Sequence, residues 1–445
     1  MTHGLASLPT PSLNSGLLAA EYWLRPARFL DRCEQLGDRF VVRMLGLPPL
    51  VGVTAPADVR AVFTGDQTAL HLGEGLKKMA PHELVLGSTS IIVKDDAAHL
   101  QDRRMLTPYF GAAALMSYEA GMARKTRELM HTWPLDEPVA FQRLMMQLTL
   151  EIIIATVFGV TEPERARRVR EAVLRLVGVV GGPGFLAFSM LAVARGGRWN
   201  SSHRRLRAAM AAVDGLAQEE LAARRAAADL ERPDVLAALL RAQGEHGDAA
   251  MSDLAICDLL RTLLIAGYET TASSLAWIVE RATRHPHVLA QLEASVARGE
   301  DGYVDAVVAE GMRVRSVAPF TLRLVVKPFE LEGLRLEPGM MIAPFIALVH
   351  RRPDVYPDPH VFRPERFLGT KPGMYTWIPF GGGVRRCLGG PFALLEMRVV
   401  LRTILQELRF LPTREADEPL GRRNVTIVPG KGAIVTLARR LRTAA

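Results

Sequence analysis

Hydrophobic and polar positions change their period several times along this chain. Between Phe40 and Val53 they alternate around Gly46-Leu47-Pro48-Pro49, which predicts a strand hairpin. A short helix, Pro56 to Phe63, follows, and Leu70 to Ser90, with Gly73, Gly75, Pro81 and Gly87, reads as a long ordered loop. From Asp96 to about Ala242 the residues Leu, Ala, Val and Met recur at helical spacing among Arg and Glu pairs, so helices dominate. Gly181-Gly182-Pro183-Gly184 breaks that run and reads as a lid hinge. Ser252 or Asp253 can cap a very long helix that reaches about Arg284, with Pro286 just beyond. At 1.5 Å per residue it is roughly 45–50 Å long, enough to cross a domain. Another helix is expected over Tyr303 to Arg315. Short strands follow at Leu322 to Val326, Phe329 to Leu331 and Met340 to Phe345. After an irregular, proline-rich stretch from Arg352 to Pro372, the last helix runs from about Gly389 to Arg409. A hairpin of Thr426 to Val428 and Ala433 to Leu437 closes the pattern. The expectation is a mainly α chain with a small segregated β region. The β-rich portion covers about 38–65, 316–350 and 422–438, and the helical portion about 96–315 and 389–410.

Composition narrows this further. The chain has 445 residues, 49% of them hydrophobic, which is ample for a large core. No linker, repeat or low-complexity tract divides it, so residues 1–445 read as one domain. Cys33, Cys257 and Cys387 are odd in number and far apart, which argues against a disulfide framework and for a cytoplasmic protein. Met1 to Ser15 has no signal-peptide core, and the most apolar stretch, Ile152 to Val160, is too short to span a bilayer. The net charge is +8. No nucleic-acid motif accompanies it, and the basic residues, as between Arg165 and Arg170, are interleaved with Glu, Ala and Val. A solvated helix face or a surface for an acidic partner accounts for them.

Candidate chemistry concentrates at Phe380-Gly381-Gly382-Gly383-Val384-Arg385-Arg386-Cys387-Leu388-Gly389. A cysteine in a glycine-rich loop, beside arginines and before a helix, is set to lose its proton. Glycine also lets an iron approach the backbone closely. Within the long helix stands Ala266-Gly267-Tyr268-Glu269-Thr270-Thr271. Two small residues one turn before Thr270 leave room on one face. Thr270 can bond its own helix backbone and hold water beside a reacting centre. Glu269 can feed protons inward.

The cysteine loop resembles the haem-binding signature of the cytochrome P450 family at Phe380, Gly383, Arg385, Cys387 and Gly389. The helix segment resembles that family's oxygen-activation motif. The likeness extends over nearly the whole chain. It implies haem b, Cys387 as the iron ligand, Ala266 and Gly267 against the haem, and Thr270 with Glu269 as the proton-delivery pair. It implies that His99, Arg103, Arg323 and Arg385 bind the two propionates. His350 is either a further propionate donor or a surface-loop histidine. Glu310, Arg313 and Arg366 match the family's buried structural network before the cysteine loop.

The resemblance further implies a monooxygenase acting on a small hydrophobic substrate such as a terpenoid, steroid or fatty acyl chain. Leu84, Val85, Leu86, Leu263, Tyr268, Ala318, Phe320 and Val425 then line the pocket, together with Phe185, Leu186 and Phe188. No reductase, flavin or iron–sulfur segment is present in the sequence. Electrons are therefore expected from a ferredoxin-type donor with its reductase, docked at a basic face of Arg103, Arg104, Arg385 and Arg386 on a monomer. No nucleic acid and no membrane anchor are expected. A peroxygenase or rearrangement enzyme, and a non-catalytic haem protein, remain as alternatives.

Overall fold

The computed structural model describes residues 5–79, 82–181, 201–227, 230–246 and 251–440. The N-terminal helices are α1 (Ser15–Leu24), α2 (Pro26–Glu34), α3 (Pro56–Thr64), α4 (Leu72–Met79) and α5 (His82–Leu86). The helical body holds α6 (Asp96–Leu106), α7 (Ala112–Met130), α8 (Phe141–Ile153), α9 (Pro163–Val180), α10 (Ser201–Ala227) and α11 (Val235–His246). It continues with α12 (Asp253–Thr283), α13 (Pro286–Ala297), α14 (Gly302–Val314), the single turn α15 (Ile346–Val349) and α16 (Gly390–Glu407).

Helix α12 is the axis. Ser252 caps it, its hydroxyl accepting from the Ala255 amide at 3.3 Å, so an orphan donor of the first turn is satisfied. Its 31 residues give about 46 Å of length. Most of its side chains are buried on every side, as expected of a helix enclosed by others. It packs against α8 along most of that helix's length and also touches α14 and α16.

Among the described residues, four small sheets frame this body. One has the order β1 (Arg39–Val42), β2 (Leu50–Val53), β8 (Met341–Pro344), β5 (Arg323–Val325) and β3 (Leu70–His71). Strand β2 runs parallel to β8 with Val51 opposite Ile342, which joins segments about 290 residues apart in sequence. Strands β6 (Phe329–Leu331) and β7 (Leu334–Leu336) form a hairpin. A second hairpin is β10 (Leu420–Arg423) with β11 (Thr426–Pro429). In the last sheet β12 (Ile434–Arg439) lies between β4 (Pro138–Ala140) and β9 (Leu408–Phe410).

Three sequence expectations change. The stretch from Leu70 to Ser90 holds β3, α4 and α5 rather than a loop. Thr426–Pro429 and Ile434–Arg439 are strands, but they do not pair with each other. The apolar run is longer than its composition suggested. Helix α8 continues through a π-helical turn, Ile154–Phe158, to 18 residues, long enough to cross a membrane, yet 72% of them lie inside the fold. The glycine break begins at Gly181, which ends α9. Residues 182–200, with Phe185, Leu186 and Phe188, lie outside the described residues.

Candidate active site

The cysteine loop is built by its own backbone. Gly381 and Gly383 take φ of +66° and +64°, which glycine adopts without penalty. A 3-10 turn at Gly383–Arg385 then brings the Cys387 amide to the Phe380 carbonyl at 2.9 Å. A Cβ on Gly383 would stand 2.0 Å from the Phe63 carbonyl of α3. The glycine therefore serves the closure of the loop onto α3. Phe380 packs edge-on to Trp377, ring centroids 6.1 Å apart, and Gly389 caps α16.

Cys387 lies deep within the protein, yet its side chain keeps open surface. Burial pushes its thiol upward. The amides of Gly389 and Gly390 and the cations Arg103 and Arg386 pull it back. Arg385, expected to help here, points elsewhere. Its guanidinium bonds the Asp95 carboxylate and the Lys94 carbonyl. The second cation at the sulfur comes from α6, where Arg103 Nη1 donates to the Arg386 carbonyl at 2.7 Å. Arg385 also drops out of the supposed docking face, since its side chain is only 5% exposed; Arg104 and Arg386 remain exposed there.

Positive charge converges beside the loop. His99 is buried and held to about 3 by burial, with Arg385 and Arg103 adding to the shift. Arg323 is 1% exposed and is lowered to about 9, first by burial and then by Arg385. It donates to the Leu322 carbonyl at 2.7 Å, while its buried Nε has no hydrogen-bond partner among the described residues. The carboxylate set among these groups is Asp95, which the sequence reading missed. It stands at the start of α6, but its oxygens accept from the amides of Leu72, Gly73 and Glu74 at 2.9–3.1 Å and so cap α4. An Asp before a helix start is a capping signal, but nothing local says that it caps a different helix. Three guanidinium groups, an orphaned Nε and one nearby carboxylate suit a dianionic ligand. With a thiol alongside that is lined by two cations and two amides, the residues present fit haem.

On α12, Ala266 is exposed, and Leu263 and Thr270 are partly so, in the middle of a buried helix. Leu263 and Leu388 pack against the same two core clusters, so this face of α12 and the cysteine loop meet at one boundary. Thr270 Oγ1 donates to the Ala266 carbonyl at 2.8 Å. Gly267 does not face this space. A Cβ there would meet Ile153 of α8 at 2.3 Å, so its small size serves helix packing. Glu269 is turned away as well, with 8% exposure. Burial pushes its carboxyl up, opposed by Arg423.

Below the loop, Glu310 accepts from Arg313 Nε and Nη2 at 2.7 Å, with both side chains fully buried. The same carboxylate also accepts from Arg366 Nε at 3.2 Å and from the Arg363 amide at 2.9 Å. Arg313 also donates to the His350 and Pro359 carbonyls at 2.7 Å. His350 is neither a propionate donor nor a surface residue. It is fully buried, accepts from the Ile378 amide at 2.9 Å and meets Ser316 Oγ at 2.8 Å.

The expected pocket residues do not form one wall. Tyr268 is fully buried in the core with Val85 and Leu86 rather than on a pocket surface. Phe320 stacks between Tyr22 and Phe345 in the N-terminal core. Ala318 packs on the cluster beneath the five-stranded sheet. Val425 is 52% exposed at the β10–β11 turn, and the side chain of Leu84 lies outside the described residues.

The family model described as Cytochrome P450 matches residues 8–436. The chain is 36% identical over 438 residues to a protein of Mycobacterium tuberculosis named cytochrome P450 137, covering 97% of this chain and 90% of the relative. It is 36% identical over 441 residues to cytochrome P450 135B1 of Mycobacterium bovis, covering 97% and 91%. Two solved structures superpose on nearly all of it at 22% identity. Retinoic acid-bound cyanobacterial CYP120A1 gives a TM-score of 0.80 over 98% of this chain and 100% of that one. The cytochrome P450DA heme domain gives 0.82 over 99% of each.

Proposed function

The chain belongs to the cytochrome P450 family and is a haem-thiolate monooxygenase using haem b; from that premise we propose that it oxidises a small hydrophobic substrate with electrons from a ferredoxin-type donor and its reductase. The observation that carries this reading is the face of α12 that keeps open surface. Leu263, Ala266 and Thr270 follow one another at helical spacing, apolar but for one hydroxyl, while the one charged neighbour, Glu269, is turned away. Such a wall holds a terpenoid, steroid or fatty acyl chain without desolvating a charge.

Each residue then has a part. Cys387 ligates the iron, and His99, Arg103, Arg323 and Arg385 hold the propionates, with Phe380, Gly383 and Gly389 shaping the loop. Haem b, when bound, supplies the activation of dioxygen, favoured by its thiolate ligand. Thr270 holds water at its Oγ1, and Glu269 relays protons to it. We assign a cytoplasmic, monomeric enzyme. Docking of an acidic ferredoxin at Arg104 and Arg386 predicts that its reduction of the enzyme slows as salt is raised.

The test is an optical titration of the haem-loaded protein with terpenoids, steroids and fatty acids, watching the Soret band. A low-to-high-spin shift with one class identifies the substrate class. A haem spectrum that none of them moves overturns the hydrophobic-substrate reading.

A further inference from the structure

Glu269 leans toward the tip of the β10–β11 hairpin. Its Oε1 lies 3.9 Å from Arg423 Nε and 3.5 Å from Thr426 Oγ1. Those two residues flank the turn Asn424-Val425. The hairpin is fixed from both sides: the Ile427 amide donates to the Val317 carbonyl at 2.8 Å, and Trp277 Nε1 of α12 donates to the Ile427 carbonyl at 3.4 Å. Arg423 Nη1 also meets Met146 Sδ of α8 at 3.1 Å. The Glu269 side chain is 10% exposed and that of Arg423 is 41% exposed. A nearly buried carboxylate thus faces water through a half-exposed guanidinium.

We propose that Arg423 is the positioning residue for Glu269, holding its carboxylate oriented at the hairpin tip and so making that tip the side from which protons reach Thr270. The proposal rests on the proton-delivery role given above to Glu269 and Thr270. The groups around the carboxyl leave Arg423 as its charged partner among the described residues. Strand β10 presents Arg423, α8 presents the neutral Met146 thioether, and on α12 the buried Tyr268 phenol is pushed further upward and stays neutral. Thr426 Oγ1 donates to the Arg423 carbonyl at 2.7 Å and reaches Glu269 Oε1 as a longer donor contact at 3.5 Å, which, like Arg423, favours the charged carboxylate. Both partners belong to the same turn, so its position governs how the charged form is held.

The experiment uses the haem-loaded ferric protein and follows the carboxylic C=O stretching band in an infrared pH titration, assigned to Glu269 by its loss in E269Q. Arg423→Gln is expected to raise the midpoint by about one pH unit or more, since an opposite charge is removed. Arg423→Lys, which keeps the charge, is expected to restore most of that shift. The alkaline limb of product formed per NAD(P)H moves with the infrared midpoint in each variant. A midpoint unmoved in Arg423→Gln, or a Lys variant indistinguishable from Gln, overturns the proposal. If E269Q leaves product per NAD(P)H unchanged, the relay role of Glu269 falls, while the infrared midpoint still decides whether Arg423 controls the carboxyl.

Discussion

Arg103 of α6 donates to the carbonyl of Arg386, the residue just before Cys387, at 2.7 Å. One guanidinium thereby pins the loop backbone and places a cation at the sulfur. Arg103→Ala is expected to weaken haem retention by about 10–100-fold, the usual cost of losing a group that supports a metal ligand. Competition for haem with apomyoglobin measures it. The ferrous carbon monoxide spectrum should show a growing thiol-ligated fraction. Wild-type retention with an unchanged spectrum would remove Arg103 from this role.

Glu310 is fully buried and compensates Arg313 and Arg366 together. Glu310→Ala leaves two cations without their carboxylate, a loss of about 3–5 kcal/mol. Urea denaturation of the apoprotein reads this directly, with poor haem loading as the visible consequence. A fully loaded variant of wild-type stability would sink the network.

Gly381 and Gly383 share a positive φ but differ in surroundings. Around Gly381 a Cβ meets nothing within 4 Å, whereas at Gly383 it meets the Phe63 carbonyl. Gly381→Ala should cost only the left-handed backbone penalty, about 1–2 kcal/mol. Gly383→Ala must also displace the loop from α3 and should lose most of its haem. Equal behaviour of the two variants in thermal unfolding and haem content would contradict the close approach.

Thr270→Ala removes the hydroxyl while leaving the fold of α12 intact. Product per NAD(P)H is expected to drop by about 10²-fold, with the missing electrons recovered as peroxide, while Thr270→Ser keeps most of the coupling. Stopped-flow reduction and product counting separate this from a change in electron delivery.

His350 sets a pH dependence of stability. Burial holds it at about 3 against an ordinary 6.5, so the folded state refuses a proton that the unfolded chain binds. Its contribution is complete above pH 6.5 and is lost as pH falls from there toward 3, at about 1.4 kcal/mol per unit. His350→Gln cannot titrate, so its urea-derived stability should fall that much less steeply between pH 6.5 and 4.5. A slope equal to that of the wild type would show that His350 is charged in the folded protein.

The sequence made the local features visible and hid the long-range ones. Ser252 and Pro286 bracket α12 because caps and breakers act within a turn. The cysteine loop is legible for the same reason, its glycines and arginines lying in one short run. The pairing of Arg385 with Asp95 was hidden because the two lie 290 residues apart. Gly267 was misjudged because a small residue serves a neighbouring helix or a ligand equally well, and only Ile153 decides. Strand β10 was missed because Leu-Gly-Arg-Arg lacks the β-branched residues that mark strands. Without it, Thr426–Pro429 took the next strand in sequence as its partner.

The place of β12 between β4 and β9 bears on the order in which the protein forms. Its partners are residues 138–140 and 408–410, and it is itself made after Cys387. During translation, α12 and the cysteine loop emerge before the strand that ties the start of α8 to the end of α16. Closure of that edge is a late event spanning some 300 residues of sequence, the kind of contact that slows folding. The nascent chain therefore presents its thiol and its cationic cluster before its last strand locks the helices together.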